Sequence, residues 1–250
     1  MKTKILNKLH TLEKEKNIEI LFAIESGSRS WGFPSPDSDY DIRFIYKHPI
    51  DHYLSPWDKK DTIEFMTEDD LDGSGWDLKK TILLLHKSNV PLLEHLYSHI
   101  FYIKNDAFLD ALLPLAETAF SPISVVFHYL SISKKYYALC LNDYVKLKDL
   151  FYCLRTMLAC KWVIEKGTFP PVIFHEMLTL IPKDILDIVN NLLRIKSENG
   201  EKYFHANDDL LINYIKTELE LISSKAKSLP DGKMDKLLAE KTFINIIKSS

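Results

Sequence analysis

A Gly-Ser pair at Gly27 and Ser28 is followed, after ten intervening residues, by two acids one residue apart, Asp39 and Asp41. Carboxylates at i and i+2 of a strand leave it on the same face, close enough to share one or two Mg²⁺ ions. Mg²⁺ prefers oxygen ligands and completes its octahedron with substrate phosphates, so the layout suits transfer from a nucleoside triphosphate. Gly27 permits a sharp turn at which backbone amides meet a ligand, and Ser28 adds a hydroxyl. Alone, an acid pair at the start of a strand is ordinary turn chemistry, with Pro34, Pro36, Asp37 and Ser38 supplying the turn. The Gly-Ser pair at this distance, and the strict alternation behind the acids, raise it above that reading.

The elements that must position these residues follow from periodicity. Ile18 to Ile24 is an apolar run that reads as a strand ending at the Gly-Ser turn. From Asp39 to Lys47, Asp39, Asp41 and Arg43 point one way while Tyr40, Ile42, Phe44 and Tyr46 point the other, which is a half-buried strand. An amphipathic helix is expected over 2–16, a third strand within 61–73, a helix over 77–87, and a further strand near 97–103. The segment 91–98 and a helix over 105–117 complete this part. Ser121-Pro122 reads as an N-cap with a first-turn proline. From there helices are expected over 122–140, 146–166, 172–180, 182–195, 207–228 and 232–247. The fold class is therefore α+β: a small mixed-sheet catalytic domain, 1–118, followed by an all-helical domain, 119–250. Such a plan suits a transferase, which must exclude water from the triphosphate because hydrolysis is the competing reaction.

Other chemistries fail on spacing. Asp37, Asp39 and Asp41 imitate the opening of a calcium loop, but Ile42 stands where a Gly is required and His48 where a Glu is required. The phosphate-loop pattern Gly-x-x-x-x-Gly-Lys-Ser/Thr is absent, and Gly27 to Gly32 does not fit the nucleophile elbow. His95 and His99 lie four apart without a His-Glu-x-x-His pattern, which argues against zinc. The 250 residues are 46% hydrophobic and 27% charged, enough to bury a sizeable core. No run approaches the length of a membrane span and the N-terminus lacks a secretory apolar core, so residence in the cytoplasm without membrane attachment is expected. Cys140, Cys153 and Cys160 are odd in number and sit among apolar residues, reading as packed thiols.

On these residues the chain resembles the DNA polymerase β-like nucleotidyltransferase superfamily, whose signature is Gly-Ser, about ten residues, then acid-hydrophobic-acid-hydrophobic; Gly27-Ser28 and Asp39 to Ile42 match it. The longer string from Gly27 to Tyr46, with Gly75 to Lys80, Lys87 to Glu94 and Lys148 to Trp162, is similar to one bacterial branch, the predicted nucleotidyltransferases grouped under an RNA repair pathway polymerase β name. The resemblance spans roughly residues 18–165. It implies that Gly27 and Ser28 hold the triphosphate of a substrate such as ATP, and that Asp39, Asp41 and a third acid on a nearby strand bind Mg²⁺, or Mn²⁺ in its place. Asp72 is the best third acid, with Glu64, Asp70 and Asp77 as alternatives; Asp77 also reads as a helix N-cap. Two positions depart from the pattern. Ser26 replaces a hydrophobic residue, and Gly73 and Gly75 flank the third-acid region, where glycine weakens a strand. The implied reaction is attack of an acceptor hydroxyl, on an RNA end, a protein or a small molecule, with release of pyrophosphate. The alternative is a nucleotide-binding, antitoxin-like interaction module with little or no turnover.

The formal net charge is −3, which argues against coating of nucleic acid by the overall field but does not exclude a local basic groove. Residues 121–170 hold seven Lys and Arg against three acids. A solvated helix face is one reading of that excess; a hold on phosphates or an RNA backbone is the other. Within it, Arg155 shares a helix face with Lys148 and Tyr152 and is placed to clamp a phosphate or to form a structural salt bridge. Arg29, after the Gly-Ser turn, is expected to neutralise phosphate charge. Trp31 has packing and base stacking as its two readings. For Lys80, Asn89 and Glu94, supporting the site competes with plain surface, turn and cap roles.

Overall fold

The alternation that begins at the acid pair becomes the middle strand of a five-stranded sheet. The structure is a computed structural model that describes residues 1–67 and 71–249. Its elements in the first half are α1 (Lys2–Lys16), β1 (Glu19–Glu25), α2 (Gly27–Trp31), β2 (Tyr40–Lys47), α3 (Ile50–Tyr53), β3 (Thr62–Met66), β4 (Leu71–Asp77), α4 (Leu78–His86), α5 (Val90–Leu96), β5 (Phe101–Lys104) and α6 (Asp106–Ala119). The second half holds α7 (Pro122–Leu139), β6 (Tyr144–Lys146), α8 (Leu147–Lys166), α9 (Phe174–Met177), α10 (Lys183–Glu198), β7 (Phe204–Ala206), α11 (Asp209–Lys225) and α12 (Lys236–Lys248).

Contacts group the chain into two units. One comprises Met1–Gly27, Asp39–Phe120 and Lys233–Ser250; the other comprises Ser28–Ser38 and Ser121–Gly232. This grouping differs from the expected 1–118 and 119–250 in two segments: the loop before the acid pair joins the helical unit, and the last helix joins the sheet. Both differences are made by contacts far apart in sequence, which local patterning does not carry.

The first unit is built on the sheet, in the order β3-β4-β2-β1-β5. It is mixed: β2 and β4 run parallel, while the β1/β2, β1/β5 and β3/β4 pairs are antiparallel. Helix α1 places Ile5, Leu9 and Leu12 at helical spacing against Ile20, Ile42, Phe44, Tyr46 and Leu71. Each such side chain, fully buried, contributes about 1.5–3 kcal/mol of transfer free energy. The region 61–73 supplies two strands rather than one. In β4, Gly73 and Gly75 do not weaken the strand, because their bare faces admit aromatic rings. A Cβ on Gly73 would lie 2.1 Å from Cζ of Phe65 on β3, and one on Gly75 would lie 2.1 Å from Cε2 of Phe44 on β2. The two glycines alternate with Asp72, Ser74 and Trp76, which face the other way.

In the second unit, α7 and α8 pack together around buried Val125, Val126, Tyr129, Leu154, Met157 and Leu158. Cys140, Cys153 and Cys160 are buried free thiols, and burial pushes the Cys153 thiol up to about 12. A short antiparallel ribbon, β6 with β7, accompanies the helices. Among the described residues, no single helix is long and apolar enough to cross a membrane.

Candidate active site

The carboxylate face lies in the sheet unit. Asp41 on β2 is in register with Asp72 on the adjacent parallel β4, so the two acids stand side by side on neighbouring strands. Both give an oxygen to one nitrogen: Arg43 Nη2 donates to Asp41 Oδ1 and to Asp72 Oδ2, each at 3.0 Å. Arg43 Nη1 also donates to the carbonyls of Ile42 and Asp72, at 3.0 and 3.1 Å. Two carboxylates thus converge on a single cationic position, and the donors are hard oxygens of the kind Mg²⁺ and Mn²⁺ take. Asp39 is exposed and directly precedes β2.

The alternatives for the third acid separate by register. Glu64 pairs with Ser74 and so sits on the edge strand, one strand further from Asp41 and two positions along. Asp77 is five residues from Asp72, on the opposite face of β4, and caps α4 through Lys79 N at 2.8 Å. Asp70 lies outside the described residues. Asp72 is therefore the direct neighbour of Asp41.

Gly27 closes the other side of Asp41. Its φ is +63°, and a Cβ there would lie 2.1 Å from Asp41 Oδ2, so only glycine lets the turn approach the carboxylate. Behind it stands Glu25, which is buried. Its Oε1 accepts the Asp41 N–H at 3.0 Å, its Oε2 accepts the Tyr102 hydroxyl, and its backbone carbonyl accepts the Ser98 hydroxyl at 3.2 Å. His95 is buried and stacked on Trp76, with ring centroids 5.1 Å apart. Burial, helped by the Arg43 charge and opposed by Glu94, holds its pKa near 3, so the ring is neutral.

Sequence reasoning missed Glu25, Arg43 as the bridge, and His95 as a neutral neighbour of that bridge. The signals were a Glu ending an otherwise apolar strand, and an Arg sharing the parity of the two acids.

The remaining candidates lie in the helical unit. Ser28 Oγ donates to Ser38 Oγ at 3.1 Å, and Arg29 Nη2 donates to the Ser38 carbonyl at 2.7 Å, which draws the 28–38 loop closed. Ser38 Oγ in turn donates to Glu201 Oε1 at 3.0 Å, and Glu201 N donates to Asp37 Oδ1 at 2.9 Å. Phe33 packs between Phe151 and Phe174, and Lys196, buried, donates to Ser35 Oγ at 2.6 Å. Trp31 meets Tyr152 edge-on at 5.0 Å, and the Arg155 guanidinium lies 4.1 Å from the Trp31 ring centroid. Tyr152 and Arg155 do share the expected helix face, and Trp31 has a packing role. Arg155 is 3% exposed. Of the basic excess, Lys148 pairs with Glu201 and Lys161 with Glu218 at 2.6 Å, both acids from beyond residue 170. Asn89 caps α5 rather than serving a turn, and Lys80 pairs with Asp61 at 2.8 Å.

The chain is 39% identical over 242 residues to the uncharacterized protein YcgL of Bacillus subtilis (strain 168), covering 94% of this chain and 92% of that one. Among solved structures it is similar to a spectinomycin adenyltransferase from Enterococcus faecialis, crystallised with ATP and spectinomycin, at 16% identity and a TM-score of 0.44, covering 87% of this chain and 99% of that one. It is also similar to a nucleotidyltransferase-like protein from Exiguobacterium sibiricum, at 14% identity and a TM-score of 0.35, covering 97% and 79%. The RNA repair pathway DNA polymerase beta family matches residues 1–244, nearly the whole chain, and the protein belongs to that nucleotidyltransferase family.

Proposed function

We propose that this protein is a divalent-metal-dependent nucleotidyltransferase that moves a nucleoside monophosphate from a nucleoside triphosphate to an acceptor hydroxyl. Family membership gives nucleotidyl transfer as the reaction class. The observation that carries the finer reading is the in-register pair Asp41 and Asp72, whose oxygens converge on one cationic position beside a turn that only glycine can make.

In the reaction, the acceptor oxygen attacks the α-phosphorus in line and the bond from that phosphorus to the bridging oxygen breaks. Pyrophosphate leaves, and the acceptor gives up its proton. Asp39, Asp41 and Asp72 would hold Mg²⁺, with Mn²⁺ as the alternative. When bound, such ions clamp phosphate oxygens and acidify the attacking hydroxyl. Glu25 fixes the Asp41 backbone and Arg43 keeps the two carboxylates aligned. The Gly27 backbone and the Ser28 hydroxyl are assigned the β- and γ-phosphates. Arg29 and Arg155 supply cationic groups suited to phosphate oxygens.

The test is incubation with each labelled triphosphate and Mg²⁺, alone, with RNA and with cell lysate, following pyrophosphate release and the fate of the label. Transfer to RNA, to a protein or to a small molecule identifies the acceptor. Binding without pyrophosphate release in every arm would instead favour the antitoxin-like interaction module. Full turnover in folded Asp41→Ala protein would overturn the assignment of the acids.

A further inference from the structure

At the opposite end of the parallel pair, about 16 Å along the strands from Asp72 at some 3.3 Å per residue, lies a second group of metal-ligating side chains. His48 follows β2, His52 is on α3, and Asp77 ends β4. A ring nitrogen of each histidine and a carboxylate oxygen of the aspartate all lie within 4.8 Å of one another. The two imidazoles are stacked almost parallel, 6° apart, with centroids at 3.6 Å, so one ring must turn about its side-chain torsions before both in-plane lone pairs meet one ion. Tetrahedral zinc with bonds of about 2.0–2.1 Å needs ligand atoms about 3.3 Å apart, so binding draws together atoms that now lie within 4.8 Å of one another.

We propose that His48, His52 and Asp77 bind a divalent transition-metal ion of the Zn²⁺ type, at a site separate from the catalytic carboxylates and open to one further ligand. Two imidazoles with one carboxylate select Zn²⁺, Ni²⁺ or Co²⁺ over Mg²⁺, which takes oxygen. The surroundings already orient the ligands as an outer shell does. Asp77 Oδ1 accepts Lys79 N at 2.8 Å, and its Oδ2 accepts the Tyr53 hydroxyl at 2.9 Å. The same Tyr53 oxygen accepts His48 N–H at 3.1 Å, tying two of the ligand-bearing segments together. Tyr46, whose ring lies 5.5 Å from His48, is fully buried, and its hydroxyl has no hydrogen-bond partner among the described residues.

Beside His52 and Asp77 lies a pocket of about 330 Å³, lined among others by Lys59, Lys79, Asp58 and Asp61. A bound dication would therefore meet its further ligand in a polar space of mixed charge, which suits water or hydroxide.

The experiment is Zn²⁺ binding to the chelator-stripped, full-length protein, by competition with a chromophoric chelator at pH 7.5. One Zn²⁺ per chain is expected at this site. Because disturbing outer-shell partners alone costs about 10–100-fold in affinity, His52→Ala and His48→Ala should each weaken binding at least about a hundredfold. Asp77→Asn, which keeps the helix cap, should weaken it too. Asp41→Asn should leave this ion in place. His52 is half-exposed, so its variant is expected to fold, and circular dichroism checks that it does. Absence of Zn²⁺ binding by the wild type, unchanged affinity in folded His52→Ala, or loss of the ion with Asp41→Asn would each overturn the proposal. None of these outcomes depends on whether nucleotide is transferred.

Discussion

Asp41 gathers the restraints of the carboxylate face onto one side chain: its amide is held by Glu25, one oxygen by Arg43, and the other stands against Gly27. Gly27→Ala therefore meets two penalties, a positive φ that L-residues resist and a Cβ placed 2.1 Å from a carboxylate oxygen. A loss of about 1–3 kcal/mol in stability is expected, with turnover falling further than the loss of folded protein explains. Urea titration and steady-state kinetics on the same preparation check it, and normal kcat would show that the turn does not shape the site. His95 makes a pH prediction. Its ordinary pKa is 6.5 and its folded one about 3, so above 6.5 both folded and unfolded states are neutral and its contribution is complete. Between those values the unfolded chain binds a proton that the native state refuses, and stability falls by up to about 1.4 kcal/mol per pH unit. From pH 6 to pH 4 the wild type should thus lose about 2–3 kcal/mol more than His95→Leu. Parallel denaturation curves for the two proteins across that range would refute it. At this scale the approach of Gly27 to Asp41 was legible because their spacing is local. Glu25 and Arg43 were not, because a buried carboxylate or a bridging guanidinium is defined by partners such as Tyr102 and Asp72, which lie 77 and 29 residues away.

Strand β4 shows how an element can be misread when its neighbours decide its composition. Gly73 and Gly75 lower strand propensity, yet the rings of Phe65 and Phe44 occupy the space their side chains would need, so the strand is stabilised by what crosses it. Substitution must push those rings out of the layer beneath α1. Gly75→Val should cost about 1–3 kcal/mol by overpacking, whereas Ser74→Val, at a position facing the other way, should cost less. Denaturant midpoints for both variants test this, and equal midpoints would mean that the glycines are not needed for packing. The longer helices were legible, because amphipathic spacing and caps such as Asp77 and Ser121 are local signals, whereas the short α2 and α3 were not. The ribbon of β6 and β7 was not, since strands of three residues leave no period to read. Helix α8 turns Tyr152 and Arg155 towards Trp31. Arg155→Met keeps much of the bulk against Trp31 while removing the charge. If Arg155 holds phosphate, nucleotide affinity should fall at least about tenfold with little change in Tm; unchanged affinity with a lowered Tm would assign it to packing alone.

At the scale of the whole molecule, the chain leaves the sheet unit after Phe120 and returns at Lys233, and the returning segment is built into that unit. Lys47, 6% exposed at the end of β2, donates to the carbonyls of Ile246 and Ser249 and pairs with Glu19 at 3.0 Å. Phe243 packs edge-on against Tyr53 at 5.4 Å, and Ala239, Thr242 and Ile246 are buried. No sequence signal announced this return, since the amphipathic stripe of α12 says that one face is covered but not by what. Removing residues 233–250 would leave a buried ammonium without its carbonyl acceptors and uncover the apolar surface under Ile246. Together these losses are on the order of 3–5 kcal/mol, a large share of the roughly 5–15 kcal/mol that holds a domain folded. The effect should be confined by the grouping of contacts. Hydrogen exchange in the truncated protein should speed up at least about tenfold in β1, β2, α4 and α6, while α7 and α8, whose cores contain none of the removed residues, keep their protection. Uniform loss of protection in all of these elements would show that the two units unfold as one, and unchanged protection in β1 and β2 would show that α12 only covers the sheet unit without supporting it.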